Sequence, residues 1–514
     1  MNKYLRGIVN LLDIRHRLGE AQAMTRLYSA AKSSRGNIGW DTTPTTHNYE
    51  LRVSNRILRA RARDMCRNNG YGKNFLSIAR KNIVGPKGIK LQARAKFLTG
   101  VLNTTLNDRV EAAFKDWGKR QYASVSGKLS WVEYQNLFVT QLFRDGEVLI
   151  RIKRGADNPY GFSMKFIDVS YLDETYNETL ATGNRVLMSV EVDEDDVPVA
   201  YWLTTPASDY WVRQQARHNR IRVPASEMLH IFMIKEDESE ARGLTWFHTA
   251  LVESKDLYGY KFGVINSART AAYAFGFLKP PESDGGGYDG TDDQNEPLNV
   301  QIDPLSINEL PAGYEFSQFD PKQPTQNHAE FYKSILYDVA ASLETNYTTL
   351  TGDLSDVNYS SIRAGKLDEQ DLWKCLQVWM GERFCNEIYN IWLEEAVLAG
   401  GVELANPQQL ANLRMPNWQP RGWSWVDPQK EVRAKIEALD NNLTTLTDEL
   451  AAQGIDIEDH FKTIEKEREM AAKYGITLGA PEPEDEDPDE EKEPTGDNDQ
   501  SYTNGQDGLS IEFN

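Results

Sequence analysis

Leu372, Leu376, Met380, Phe384, Ile388 and Trp392 recur at every fourth position. Apolar residues at that spacing for about five turns require a long helix with one buried face. Gly400-Gly401 gives that helix a C-terminal stop. Its Trp, Phe and Met side chains need partners to cover them, so the chain must be helix-rich around a substantial core. The stripe is core packing rather than a cofactor box.

Helical periodicity also marks "NRILRARARDMCRNNGYGKNFLSIARKNIVGPKGI", where Leu58, Ala62 and Met65 share a face. Its arginines are expected either to pair with acids on neighbouring elements or to face nucleic acid or a partner subunit. "LNDRVEAAFKDWGKRQ" is a further helix, capped by Asn107 or Asp108. "SWVEYQNLFVTQLFRDGEV" is another, with a Ser130–Glu133 capping box and a stop at Asp145-Gly146. The period then drops to two in "EVLIRIKR", "FSMKFIDV", "RVLMSVEV" and "VPVAYWLTT", which are short strands between turns. The acids of "EVDEDDVP" lack the glycine bend of a calcium loop and belong to a hairpin turn. Leu102 to about Glu240 is therefore an α+β unit.

From Thr245 the helical period returns for about 30 residues, or about 45 Å. Trp246, Ala250, Ser254, Leu257, Ile265 and Ala268 fall near one stripe, and Pro280-Pro281 ends it. The glycine-rich acidic stretch "ESDGGGYDGTDDQNEPLN" follows. In the next helix Phe331, Ile335, Leu336, Val339 and Leu343 share a face. Between it and the opening stripe lies "LTGDLSDVNYSSIRAG", Leu350 to Gly365, a short polar interruption of two strong helices. Two more helices follow the stripe, "PQKEVRAKIEALDNNLTTLTDELAAQG" and "IDIEDHFKTIEKEREMAAKYG". Beyond about Gly479 the chain is acidic and aromatic-poor, and disorder is expected.

A length of 514 residues exceeds one compact core. The formal net charge of −20 argues against a protein that simply coats DNA. The charge is uneven: Met1 to Ile89 holds 17 Lys and Arg against 5 acids, whereas "PEPEDEDPDEEKE" is almost all acid. Cys66, Cys375 and Cys385 have no paired spacing, so a reducing compartment is expected, with Cys375 and Cys385 as core thiols. No apolar run is long enough to span a membrane. The amphipathic first residues lack the apolar core of a signal peptide.

No catalytic, cofactor or metal motif emerges. "YASVSGKLS" has Tyr122 and Leu129 where a phosphate-binding loop needs glycine and Ser or Thr. There is no G-x-S-x-G elbow and no H-E-x-x-H, and the seven histidines show no ligand spacing. The expectation is a protein that is not an enzyme and carries no cofactor.

Seven segments, in order, resemble the lambda-type portal proteins of tailed bacteriophages: "RARDMCRNN", "NIVGPKGI", "FRDGEVLIR", "VPASEMLHIF", "RGLTWFHTAL", "LTGDLSDVNYSSIRAG" and "WQPRGWSWVDPQKE". The resemblance implies an α+β, mostly helical fold of portal architecture, with wing, stem, clip, tunnel loop and crown, assembling into a ring, typically of twelve copies. On this chain it implies an N-terminal arm at 1–54, a wing at 55–244, and a stem at 245–277 and 324–349. The clip would be 278–323 and the tunnel loop 350–361. A long wing helix and linker would occupy 362–428, the crown 429–475 and the tail 476–514. Thr351, Asp353, Ser355, Asp356, Asn358, Tyr359, Ser360, Ser361 and Arg363 would face DNA in the channel. Trp246, Ala250, Ser254, Leu257 and Ala268 would pack between stem subunits.

The implied partners are double-stranded DNA held without sequence preference, the terminase large subunit, a head-completion or adaptor protein, and the major capsid and scaffold proteins, with no membrane. The implied place is the portal vertex of the virion, reached from the host cytoplasm during assembly. Two rival readings remain: an arginine-rich nucleic-acid-binding protein that acts without a ring, and a capsid-associated hydrolase whose site carries no recognised motif.

Overall fold

The computed structural model describes residues 44–97, 99–204, 220–272, 276–279, 315–318, 328–355, 358–423, 428–453 and 455–476. Most of the expected arm, most of 278–323 and the acidic tail lie outside them. The chain divides after Ala434 into two units. In the first, helices α1 (His47–Asn68) and α2 (Gly70–Ile83) precede strand β1 (Lys90–Gln92), α3 (Thr104–Trp117) and α4 (Trp131–Asp145). Eight strands follow, from β2 (Glu147–Arg154) to β9 (Met228–Phe232). Next come α5 (Ala250–Ala272), the paired strands β10 (Gly276–Lys279) and β11 (Glu315–Gln318), α6 (His328–Ser342) and the short α7 (Tyr347–Thr351). The unit is completed by α8 (Tyr359–Met380), α9 (Asn386–Leu398), α10 (Pro407–Leu413) and β12 (Asn417–Gln419). The class is α+β and mostly helical, as the periodicity requires.

The four-residue stripe occupies α8 and α9. On an ideal α-helix each four-residue step overshoots a turn by about 40°, so five steps would drift by about 200°. A π-turn at Gly381–Cys385 joins the two helices and absorbs about 100° of this, one residue's worth. Leu376, Met380, Phe384, Ile388 and Trp392 are consequently all buried. Leu372, at the far end of the drift, is only partly covered, and Trp373 takes the inward position. Phe384 stacks on Phe138 of α4 with centroids 4.3 Å apart, and Trp392 meets Phe114 of α3 edge-on at 4.9 Å. Cys385 is buried, but Cys375 is exposed, which corrects its reading as a core thiol.

The capping box at Ser130 and Glu133 starts α4 as its sequence predicts. The cap of α3 is Asn103, whose side chain accepts the Leu106 N–H, and not Asn107 or Asp108. Asn107 lies inside the helix and ties both backbone groups of Ala95.

The strands form antiparallel sheets in the orders β3-β2-β9 and β4-β5-β6-β7-β8, where β3 is Phe162–Ile167 and β4 to β8 run from Glu178–Thr179 to Arg220–Pro224. The acid cluster closes a hairpin in which Asp193 Oδ1 accepts the N–H groups of Asp195 and Val197. Where α4 hands over to β2, Gly146 takes φ +88° and lies backbone to backbone on Leu244; a Cβ there would come within 2.3 Å of Leu244 C. A Cβ on Gly243 would come within 2.2 Å of Gly146 O.

Beside this contact Glu147 is fully buried and bound on every side. Arg242 donates to it at 2.6 and 2.8 Å, Arg59 at 3.2 Å and His230 Nε2 at 2.9 Å. Burial works against its charge, but the Arg242 guanidinium, with His230 and Arg59, holds the carboxyl well below its ordinary range. Burial pushes the His230 pKa down, so the ring is neutral near pH 7 and its contact is a hydrogen bond rather than an ion pair. Arg63 pairs with Asp145 at 2.7 Å and Asp168 at 2.8 Å. The arginine-rich helix thus spends Arg59 and Arg63 on neighbouring acids, while Arg52, Arg56, Arg61 and Arg67 stay exposed.

Helix α5 is shorter than its pattern suggests and starts after a 3-10 turn at Trp246–His248. Trp246, Ala250, Ser254 and Leu257 are buried within the chain itself, and Trp246 Nε1 donates to Leu343 O at 3.2 Å. Their burial in the chain's own core is at odds with the expectation that they pack between stem subunits. Ala268 is exposed. In the second unit α12 (Leu446–Ala452) and α13 (Ile457–Tyr474) pack together over Leu450 and Ala471, preceded by α11 (Pro428–Asp440), which crosses the boundary between the units.

Candidate channel loop and its anchors

The polar interruption is narrower than the sequence suggests. Helix α6 ends at Ser342, and Glu344 takes φ +55°. Thr345 N–H donates back to Ala340 O at 3.0 Å. The chain re-enters a helix at Tyr347 and leaves it at Gly352, in the left-handed region at φ +77°, whose N–H closes on Thr348 O. Leu350 is therefore buried and helical, and Thr351 Oγ1 bonds back to Tyr347 O. At the other end Asn358 caps α8 in a reciprocal box with Ser361. The loop proper is Gly352 to Asn358, and Tyr359, Ser360 and Ser361 form the first turn of α8.

Ser355, Asn358, Ser360 and Ser361 are exposed, Asp353 is half-buried, and Arg363 sits half-buried in the following turn. Asp356 lies outside the described residues, as does the Tyr359 side chain. Leu354 is 60% exposed, an apolar feature that the polar reading did not anticipate. No Lys or Arg occurs from Gly352 to Ser361.

Two carboxylates fix the ends. Glu369, on the inward face of α8 one turn before Trp373, is buried. It accepts from Thr345 Oγ1 at 2.8 Å, Asn346 Nδ2 at 3.2 Å and Thr349 Oγ1 at 2.7 Å. Asn346 also donates to Gly365 O at 2.6 Å. Asp353 accepts from the Ser355 hydroxyl at 2.6 Å and its N–H at 3.1 Å, and from Tyr347 OH at 2.9 Å. Lys333 of α6 approaches within 3.4 Å. Ser355 first, then Tyr347, holds the Asp353 carboxyl well below its ordinary range. Tyr347 stacks on Tyr337 at 4.3 Å, and Asn74 of α2 donates to Leu350 O at 2.8 Å. Sequence reading missed Glu369, Asn346 and Thr349. The one signal for Glu369 was its helical phase with Trp373, Leu376 and Met380 inside the otherwise solvent-facing "LDEQD".

The arrangement ties a short hydrophilic segment at both roots and leaves Ser355, Asn358, Ser360 and Ser361 exposed, with the Asp353 carboxylate half-buried between Ser355, Tyr347 and Lys333.

A family model described as phage portal protein, lambda family, matches residues 33–377. The probable portal protein of Halomonas phage phiHAP-1 is 31% identical, covering 88% of this chain and 88% of its own. Portal protein B of Escherichia phage lambda is 21% identical, over 78% of this chain and 81% of its own. Among solved structures, a chain from the virion of a native gene transfer agent particle aligns at 12% identity with a TM-score of 0.42, covering 79% of this chain and 93% of that one. The matched region contains the buried charge cluster and the polar loop with its anchors, and this chain belongs to the lambda family of phage portal proteins, the head–tail connectors of tailed phages.

Proposed function

We propose that copies of this chain close into a ring at one vertex of the capsid, and that the loop from Gly352 to Asn358 lines its channel. Double-stranded DNA passes this loop during packaging and ejection. The observation that carries the reading is a cation-free loop anchored at both roots by Glu369 and Asp353. Each phosphate neutralised by a fixed Lys or Arg adds counterion-release affinity, so a rim of cations would stall a moving duplex. Hydroxyls and an ionised Asp353 make weak contacts and mild repulsion instead.

The role is structural, with the hydrolysis that drives packaging assigned to a separate terminase docked at 278–323. Head-completion or adaptor proteins follow at the same place, and capsid and scaffold proteins surround the ring within the virion. Electron micrographs and the solution mass of the purified protein test the reading. An annulus with a central hole supports it. A small particle with salt-sensitive DNA affinity would favour the exposed arginines of α1, and turnover of a peptide or nucleotide would favour a hydrolase.

A further inference from the structure

The stretch from Met65 to Asn107 holds eight Lys and Arg and no Asp or Glu, in a chain of net charge −20. The stretch from Leu404 to Val426 is also without acids. The fold brings the two together. Strand β1 pairs with β12 antiparallel, with Lys90 opposite Gln419 and Leu91 opposite Trp418. Two residues beyond β12, Arg421 crosses the C-terminal end of α2 and donates from Nη1 to Lys81 O at 2.9 Å. Its Nε donates to Gly422 O at 2.9 Å, and its guanidinium lies 5.4 Å from the centre of the Trp423 ring. Trp423 Nε1 in turn donates to Asn82 Oδ1 at 3.0 Å.

Arg80, Lys81, Lys87, Lys90 and Arg421 thus gather around the end of α2 and the β1–β12 ribbon. Lys81, Lys87 and Lys90 are exposed, and Arg80 and Arg421 are half-buried. None of the five forms an ion pair among the described residues. Burial pushes the Arg421 pKa down, and no carboxylate offsets it. Closing the end of a helix accounts for Arg421. It does not account for three exposed lysines beside it, whose like charges repel one another until an anion arrives. The other end of α2 serves the polar loop, where Asn74 donates to Leu350 O. Lys81 follows seven residues later, about 10 Å along the helix axis. One helix therefore joins a loop without cations to a surface that collects five.

We propose that this surface holds the sugar–phosphate backbone of double-stranded DNA, without sequence preference, at a place separate from the polar loop. The inference is drawn from the single chain and does not need the ring. Lysines are compact point charges, and here they are spread over an open surface. That suits a continuous polyanion better than one phosphate or carboxylate, which a forked arginine pocket would grip. Duplex DNA carries one charge per about 1.7 Å of its axis, so several of these lysines meet phosphates at once. The loop makes weak contacts that let the duplex move, and this surface supplies the grip that the loop lacks.

The test measures binding of the full-length protein to a labelled duplex across a series of salt concentrations. The triple variant Lys81→Gln, Lys87→Gln, Lys90→Gln changes only exposed side chains, and its melting temperature should match that of the unmodified protein. Its slope of log K against log salt should fall by about 2.7, at about 0.9 for each lost phosphate contact, and its affinity at 0.1 M salt by more than about tenfold. The control Arg52→Gln, Arg56→Gln, on the exposed face of α1, should keep the full slope. An unchanged slope in the triple variant, or an equal loss in the control, overturns the proposal. So does polyglutamate that competes as well as unlabelled duplex at equal charge, which would make the partner an acidic protein. Loss of rings in the triple variant alone would turn this surface towards a neighbouring copy, overturning the proposal and leaving the ring reading standing. Absence of rings from the unmodified protein bears on the ring reading alone, because the slope is still read from the single chain.

Discussion

Thr349 Oγ1, on the short helix before the polar loop, donates at 2.7 Å to the buried carboxylate of Glu369, on the long helix after it. The bond spans the root of the loop, and Thr345 and Asn346 add two more donors to the same group. Glu369→Ala would leave the buried Thr345 and half-buried Thr349 hydroxyls without their acceptor, at about 1–3 kcal/mol, while Asn346 keeps Gly365 O. Glu369→Gln keeps a carbonyl acceptor and should cost less. Denaturant unfolding gives the cost, and hydrogen exchange at 345–352 reads the loss of the root. Unchanged exchange in Glu369→Ala would show that the clamp does not position the loop.

Removing Asp353–Ser360 takes out the exposed loop with the cap of α8, and leaves Leu350 and the Glu369 clamp in place. Assembly of that variant should be intact, whereas DNA packaging or retention should fall. Loss of assembly would place the segment in the subunit framework instead of at the channel wall. Electron micrographs and DNA content per particle separate these results.

Legibility followed locality. The stripe from Leu376 to Trp392, the Ser130–Glu133 box and the strands after Gly146 were visible because helical phase, capping and alternation are short-range patterns. The π-turn was not, since only packing against α3 and α4 decides where a helix widens. The break after Ser342 was equally hidden, because Leu343 O there takes its hydrogen bond from Trp246, 97 residues away. Glu147 and Arg242, 95 residues apart, could not be paired from sequence. The family-like segments nonetheless contained most of that cluster: Arg63, Asp145, Glu147, His230 and Arg242 each fall within one of them. The local signal for Glu147, an acid set directly before the apolar run "VLI", was not singled out in the sequence.

Gly146 and Gly243 should be the least substitutable positions near that cluster. Gly146 combines φ +88° with backbone at 2.3 Å from a Cβ, so neither the conformation nor the space admits alanine. Gly146→Ala and Gly243→Ala are each expected to lose more than about 2 kcal/mol, because backbone cannot give way as a side chain can. Soluble yield and melting temperature report it. As a control, Gly127→Ala, at positive φ but with open space around its Cβ, should lose only about 1 kcal/mol. Equal losses at the three positions would remove the argument from close approach.

The same cluster sets the acid limit of stability. Glu147 has a folded pKa below its unfolded one, so its contribution is complete above about pH 4.3 and is lost as the pH falls further. His230 also has its folded pKa lowered, here from 6.5 by burial. The unfolded chain then takes up the histidine proton first, and stability falls as the pH drops below about 6.5. The two effects share a sign and act in succession. The melting temperature should decline gently from about pH 6.5 and steeply below about pH 4.5. In His230→Gln, which keeps an N–H donor towards Glu147, the gentle limb should flatten while the steep one remains. A gentle limb of equal slope in both proteins would assign that titration to another group.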